Sequence, residues 1–129
     1  MRSRLDSNDL SFNGTAPAAV VPDYFTLNGG ALRLNSGSVT LNANRGIIPG
    51  DAALTGTGTL EVAQNADTLT YAGIMADNGL GADNFAKGGK GILSLTGAAT
   101  NTYSGSTEVK GGTLKLDFST NNIAKINPV

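Results

Sequence analysis

Gly91-Ile92-Leu93-Ser94-Leu95, followed 21 residues later by Gly112-Thr113-Leu114-Lys115-Leu116, is the stretch that decides the fold. The same Gly-x-apolar-x-apolar pattern stands earlier at Gly30-Ala31-Leu32-Arg33-Leu34, Gly37-Ser38-Val39-Thr40-Leu41 and Gly58-Thr59-Leu60-Glu61-Val62, so that the five glycines are separated in order by 7, 21, 33 and 21 residues. Period-two alternation places Leu32/Leu34, Leu60/Val62, Leu93/Leu95 and Leu114/Leu116 on one face of a strand, with Arg33, Glu61, Ser94 and Lys115 on the other. Each leading glycine supplies turn geometry, and Asn-Gly at 13–14, 28–29 and 78–79 adds more. No segment has helical periodicity. Short strands between turns suit either a β-sandwich or a β-solenoid, but a sandwich needs no likeness from strand to strand, whereas a solenoid repeats its pattern once per coil. Intervals of 21 and 33 residues fit coils with loops of varying length and not hairpins, whose connections are short. The expected fold is therefore all-β, a parallel β-solenoid in which successive coils bury one another's leucines.

Working outward, the chain of 129 residues is long enough for one domain. Its 14 Thr, 13 Asn, 9 Ser and 18 Gly make it polar without charge, and hydrophobic residues at 40% argue against disorder. The division expected is an irregular segment or cap over residues 1–23, a repeat region over 24–117 and a tail or cap over 118–129. Nine basic and ten acidic residues, evenly spread, leave no basic stripe to displace counterions, which disfavours nucleic acid as a partner. The basic start Met1-Arg2-Ser3-Arg4 is followed by polar Leu5-Asp6-Ser7-Asn8-Asp9, so no signal peptide is legible, and no apolar run is long enough to span a bilayer. For an exported protein this implies an internal or processed piece, with residues 1–4 possibly foreign to it.

The stretch Phe85-Ala86-Lys87-Gly88-Gly89-Lys90-Gly91-Ile92-Leu93-Ser94-Leu95-Thr96-Gly97, with Asn101-Thr102-Tyr103-Ser104-Gly105-Ser106-Thr107-Glu108-Val109-Lys110-Gly111-Gly112-Thr113-Leu114 after it, resembles the autotransporter-associated β-strand repeat, also called the passenger-associated transport repeat. That family reads K-x-G-x-G-x-L-x-L-x-G, then N-T-Y-x-G-G-T-x-V-x-x-G-x-L. Lys87, Gly89, Gly91, Leu93, Leu95, Gly97, Asn101, Thr102, Tyr103, Gly105, Thr107, Val109, Gly112 and Leu114 fall on its marked positions. Two departures occur at turns, where Ala98-Ala99-Thr100 lengthens the connection and Ser106 replaces a glycine. The stretch from 29 to 84, with Leu41-Asn42-Ala43-Asn44-Arg45-Gly46-Ile47, is similar to the irregular coils that precede such repeats. The resemblance implies a right-handed parallel β-helix in the passenger of a secreted or surface-displayed bacterial protein, associated with passenger folding and secretion. It implies no catalytic residue and no cofactor.

With no His and no Cys, Ser-His-Asp and Cys-His nucleophilic sites are excluded, together with imidazole and thiolate metal sites. Carboxylates remain, and Asp67, Asp77 and Asp83 are candidates for an acid/base pair, against a plainer role as solvated turn residues. Asn78-Gly79-Leu80-Gly81-Ala82-Asp83-Asn84-Phe85 resembles a single calcium-binding nonapeptide, which makes Asp77 and Asp83 calcium candidates, although a lone copy lacks half of a shared site. Tyr24, Phe25, Tyr71 and Tyr103 would form a sugar-stacking surface if exposed together; Tyr103 is expected to cover the core at a corner instead. Arg33, Glu61, Ser94 and Lys115 form either a ligand face or a solvated row, with Arg33 and Glu61 attracting each other by about 0.2–1 kcal/mol if their coils are neighbours. Three roles follow: a structural passenger segment whose partners are neighbouring coils of its parent, an adhesin module for glycan or a host surface protein, and a subunit stacking on like subunits into filaments.

Overall fold

The computed structural model describes residues 2–6, 15–50, 53–79, 81–123 and 125–126. Among them lie the strands β1 (Arg2–Asp6), β2 (Val21–Thr26), β3 (Ala31–Ser36), β4 (Val39–Leu41), β5 (Arg45–Ile48), β6 (Thr57–Val62), β7 (Thr68–Tyr71), β8 (Asn84–Gly88), β9 (Ile92–Leu95), β10 (Thr107–Val109) and β11 (Thr113–Leu116). The strands form a five-stranded sheet in the order β1-β3-β6-β8-β10, a four-stranded sheet in the order β4-β7-β9-β11, and the pair β2-β5. Pairing is parallel throughout. The third face continues past β5 through a parallel bridge from Ile47 to Met75, and then through the Thr102 and Tyr103 N–H groups, which donate to Met75 O at 2.8 and 3.2 Å. Because the chain visits the three faces in the same order on every turn, the fold is a parallel β-solenoid. A two-layered antiparallel sandwich is excluded.

One expectation is refined. The five glycine-led repeats do not form a single column: β3 and β6 stack on the first face, pairing Leu32 with Leu60 and Leu34 with Val62, while β4, β9 and β11 belong to the second. There Val39, Leu69, Leu93 and Leu114 are aligned. The interval of 7 residues therefore separates two faces of one turn, and the interval of 33 crosses from the first face to the second face of the next turn. True turn lengths run from 28 residues between Arg33 and Glu61 to 22 between Asn84 and Ser106. Both faces need a glycine turn and then alternating leucines, so the pattern alone cannot assign a strand to its face.

Inside, Leu32, Leu34, Leu41, Ile47, Leu60, Val62, Leu69, Tyr71, Met75, Leu93 and Leu95 make a narrow aliphatic column, each at most 2% exposed. At about 1.5–3 kcal/mol for each fully buried large side chain, stacking supplies what a lone turn cannot. Phe85 and Tyr103 close the interior toward the C-terminal turns, their ring centroids 5.8 Å apart. The last turn is thinner: Val109 is exposed, Leu114 and Leu116 are half-buried, and Phe118 and Ile123 lie at the surface. Within 1–23, expected to be irregular, residues 2–6 instead add a parallel strand to the edge of β3, where unpaired backbone groups offer a template.

Candidate functional site: clamps between turns

Lys87 sits where the two preceding turns carry Leu60 and Leu32, on the inward side of the first face. A lysine there would be costly unless every donor found an acceptor. It does. The completely buried side chain carries its ammonium to the corner after β8, where Nζ donates to Gly88 O at 2.7 Å, Gly89 O at 3.0 Å and Gly111 O at 3.0 Å, three donors on three carbonyls. Gly111 lies one turn further on, so the bond joins two coils. Burial pushes the Lys87 pKa down, and the charge of Glu61 restores part of the loss.

The glycines of the repeat exist to let those corners approach. Gly89 has φ +77°, and a Cβ on it would stand 2.1 Å from Val62 O; Gly112 has φ +63°, and a Cβ there would stand 2.2 Å from Gly91 O and 2.7 Å from Lys87 Nζ. Neither geometry admits another residue without moving backbone.

Asn101 works on the third face, where strands are too short to pair regularly. Its side chain substitutes for a peptide group: Oδ1 accepts from Met75 N–H at 2.7 Å in the turn before, and Nδ2 donates to Lys125 O at 2.6 Å in the turn after. Beside it Thr102 is exposed, while Tyr103 turns inward against Phe85 and shares a hydrogen bond with Thr107 Oγ1 at 2.5 Å. Lys125, also buried, returns a donor to Gly97 O in the preceding turn and to Asn121 Oδ1.

At the corner between the third and first faces, Asp83 is fully buried and accepts from Asn78 N–H at 2.7 Å and Gly56 N–H at 3.3 Å. Asp77 accepts from Asp83 N–H at 2.9 Å and from the N–H and hydroxyl of Ser104, 27 residues on, at 2.8 and 2.5 Å. Burial raises the Asp77 pKa, but the hydroxyl of Ser104 and the N–H groups of Asp83 and Ser104 outweigh it and hold the carboxyl below its ordinary 3.8. Asn84 Oδ1 likewise accepts from Ser106 N–H at 2.8 Å, and a Cβ on Gly105 would stand 2.3 Å from that oxygen. The two calcium candidates thus spend these oxygens on backbone of their own and adjoining turns. No group of three or more acidic residues arranged to hold a metal ion occurs among the described residues. Asp67 stands at a different corner, between β6 and β7, and so is not brought to Asp77 and Asp83.

The expected aromatic surface does not form: Tyr71 and Tyr103 are buried, and Tyr71 places its hydroxyl 2.8 Å from Arg45 O. Burial raises the Tyr71 pKa far above its ordinary 10.0. Tyr24 is exposed, edge-on to Phe25 and over the buried Arg45 guanidinium at 5.3 Å. The polar row splits as the leucines do. Arg33 and Glu61 pair at 3.0 Å on the first face, while Ser94 and Lys115 are register partners on the second. Arg45 and Lys125 escaped the sequence reading, because an isolated basic residue in an Asn-rich stretch carries no signal of burial.

Over the residues that carry these clamps, 85–116, the chain matches the family described as Passenger-associated-transport-repeat. Fold and repeat together define a β-helical segment of the autotransporter-passenger kind. Among curated proteins, the chain is similar to the Adhesin BmaC autotransporter of Brucella suis biovar 1 (strain 1330), 33% identical over 108 residues. The match takes in 84% of this chain and 3% of that protein, so the chain spans a small fraction of its relative's length. No solved structure matches the chain.

Proposed function

We propose that the chain is a non-catalytic stalk segment of a secreted or surface-displayed bacterial passenger, and that residues 85–116 help the passenger fold and reach the cell surface. The observation that carries this reading is the direction of the clamps. Lys87 reaches a carbonyl one turn ahead, and Asn101 bonds the turn before and the turn after. Each new turn completes hydrogen bonds that its predecessor already presents, so a chain emerging from a membrane folds progressively on its own edge. Burial of the same clamps stiffens the finished rod. Its partners in this reading are the adjoining coils of its parent.

The test is surface display of a parent passenger carrying either a deletion of 85–116 or Lys87→Met with Asn101→Ala. Protease-resistant passenger at the surface should fall for both. Undiminished display of correctly folded passenger in both would overturn the secretion role.

A further inference from the structure

We propose that the outer side of the first face carries a saccharide-binding groove centred on Gly88, for an uncharged, hydroxyl-rich oligosaccharide. A groove of about 530 Å³ runs across β3, β6 and β8, from Gly29 and Gly30 to Lys110, with Thr59, Glu61, Gly88 and Gly89 in its lining. Along the register that forms its wall, Arg33 is followed by Glu61, Glu61 by Gly88, and beyond Gly88 stands Lys110, whose N–H donates to Lys87 O at 2.8 Å. One side chain is missing from an otherwise charged row.

Neither the fold nor the repeat accounts for that gap. Gly88 occupies an unspecified position in K-x-G-x-G. Unlike Gly89 it has no positive φ, and a Cβ on it would meet Thr59 Cγ2 at 3.4 Å and Glu61 Cγ at 3.5 Å, ordinary contacts. The glycine leaves open a slot that a side chain would fill, between a carboxylate that only accepts and an ammonium that only donates.

A ligand bridging those two groups must donate to one and accept from the other over a short span, as adjacent sugar hydroxyls do. A ligand carboxylate would be repelled by Glu61 and a ligand ammonium by Lys110, which disfavours charged sugars. A peptide is disfavoured for a different reason. The strands beneath are paired on both sides, so no backbone edge is open for strand addition. The volume suits about two or three sugar rings, within the ordinary range of small-ligand sites. This groove is separate from the clamps, so its failure leaves the stalk reading untouched.

The experiment is amide-resolved NMR titration of the 129-residue chain with cellotriose, maltotriose and tri-N-acetylchitotriose, with 3′-sialyllactose and the peptide Gly-Ser-Thr-Gly as controls. At least one neutral trisaccharide should shift Thr59, Gly88 and Gly89, and the controls should not. Gly88→Leu should abolish the shifts with urea unfolding unchanged, and Lys110→Ala, at an exposed position, should weaken binding about tenfold, the loss of one charged hydrogen bond. Silence with all three sugars, shifts that survive both substitutions, or equal shifts with the peptide or the acidic sugar would overturn the proposal.

Discussion

Replacing Lys87 by methionine keeps the buried stem and removes only the ammonium, leaving the carbonyls of Gly88, Gly89 and Gly111 without that donor. A buried acceptor left unpaired costs about 1–3 kcal/mol. Gly88 O is the buried contact and the other two are partly buried, so the gross loss is about 3–6 kcal/mol on the same scale. Relief from burying an ammonium offsets part of it, for a net loss of about 2–4 kcal/mol. Urea unfolding followed by circular dichroism measures the total. Native-state amide exchange locates it, since the N–H groups of Lys110 and Thr113, bonded to Lys87 O and Gly91 O at 2.8 and 3.1 Å, should lose protection before the amides of β3 and β6. The pH dependence has a definite sign. The folded pKa of Lys87 is lowered from 10.5, so between the folded value and 10.5 the unfolded chain binds more protons, and parent stability rises relative to Lys87→Met as pH climbs through that window. A stability loss under about 0.5 kcal/mol, with unchanged exchange at Lys110 and Thr113, would refute the clamp, because surface substitutions cost no more than that.

Asn101→Ala removes both side-chain bonds between turns on the third face and should cost about 2–3 kcal/mol by urea unfolding, with exchange rising at Met75. Gly89→Ala should destabilise by more than about 2 kcal/mol, because it combines a left-handed φ with overlap on Val62 O, whereas Gly88→Ala should stay within about 0.5 kcal/mol; paired melting curves decide. For Asp77, a folded pKa below 3.8 means that its stabilisation is present above pH 3.8 and is lost as pH falls through the folded value. Asp77→Asn should therefore be about 1 kcal/mol less stable at neutral pH and show a flatter acid limb, read from unfolding midpoints between pH 2 and 6.

Leucine alternation after glycine turns was enough to specify an all-β chain of stacked windings, because a strand with one dry face must bury it and repeated strands bury it best on each other. The repeat over 85–116 was legible for the same reason, since a dozen positions must recur for successive corners to nest. What the alternation left open was the face to which each strand belongs, because turn lengths vary and both leucine-bearing faces obey one pattern. Only the tertiary structure shows that Lys87 points inward in line with Leu60 and Leu32, because a lysine's place depends on carbonyls gathered from Gly88, Gly89 and a turn 24 residues away. The same holds for Asp77 and Asp83, where acceptors that look like metal ligands in a linear string are satisfied by backbone donors brought in by folding. It holds also for Gly88, a glycine like its neighbours in sequence and the only one of the Gly88-Gly89 pair that its backbone does not demand.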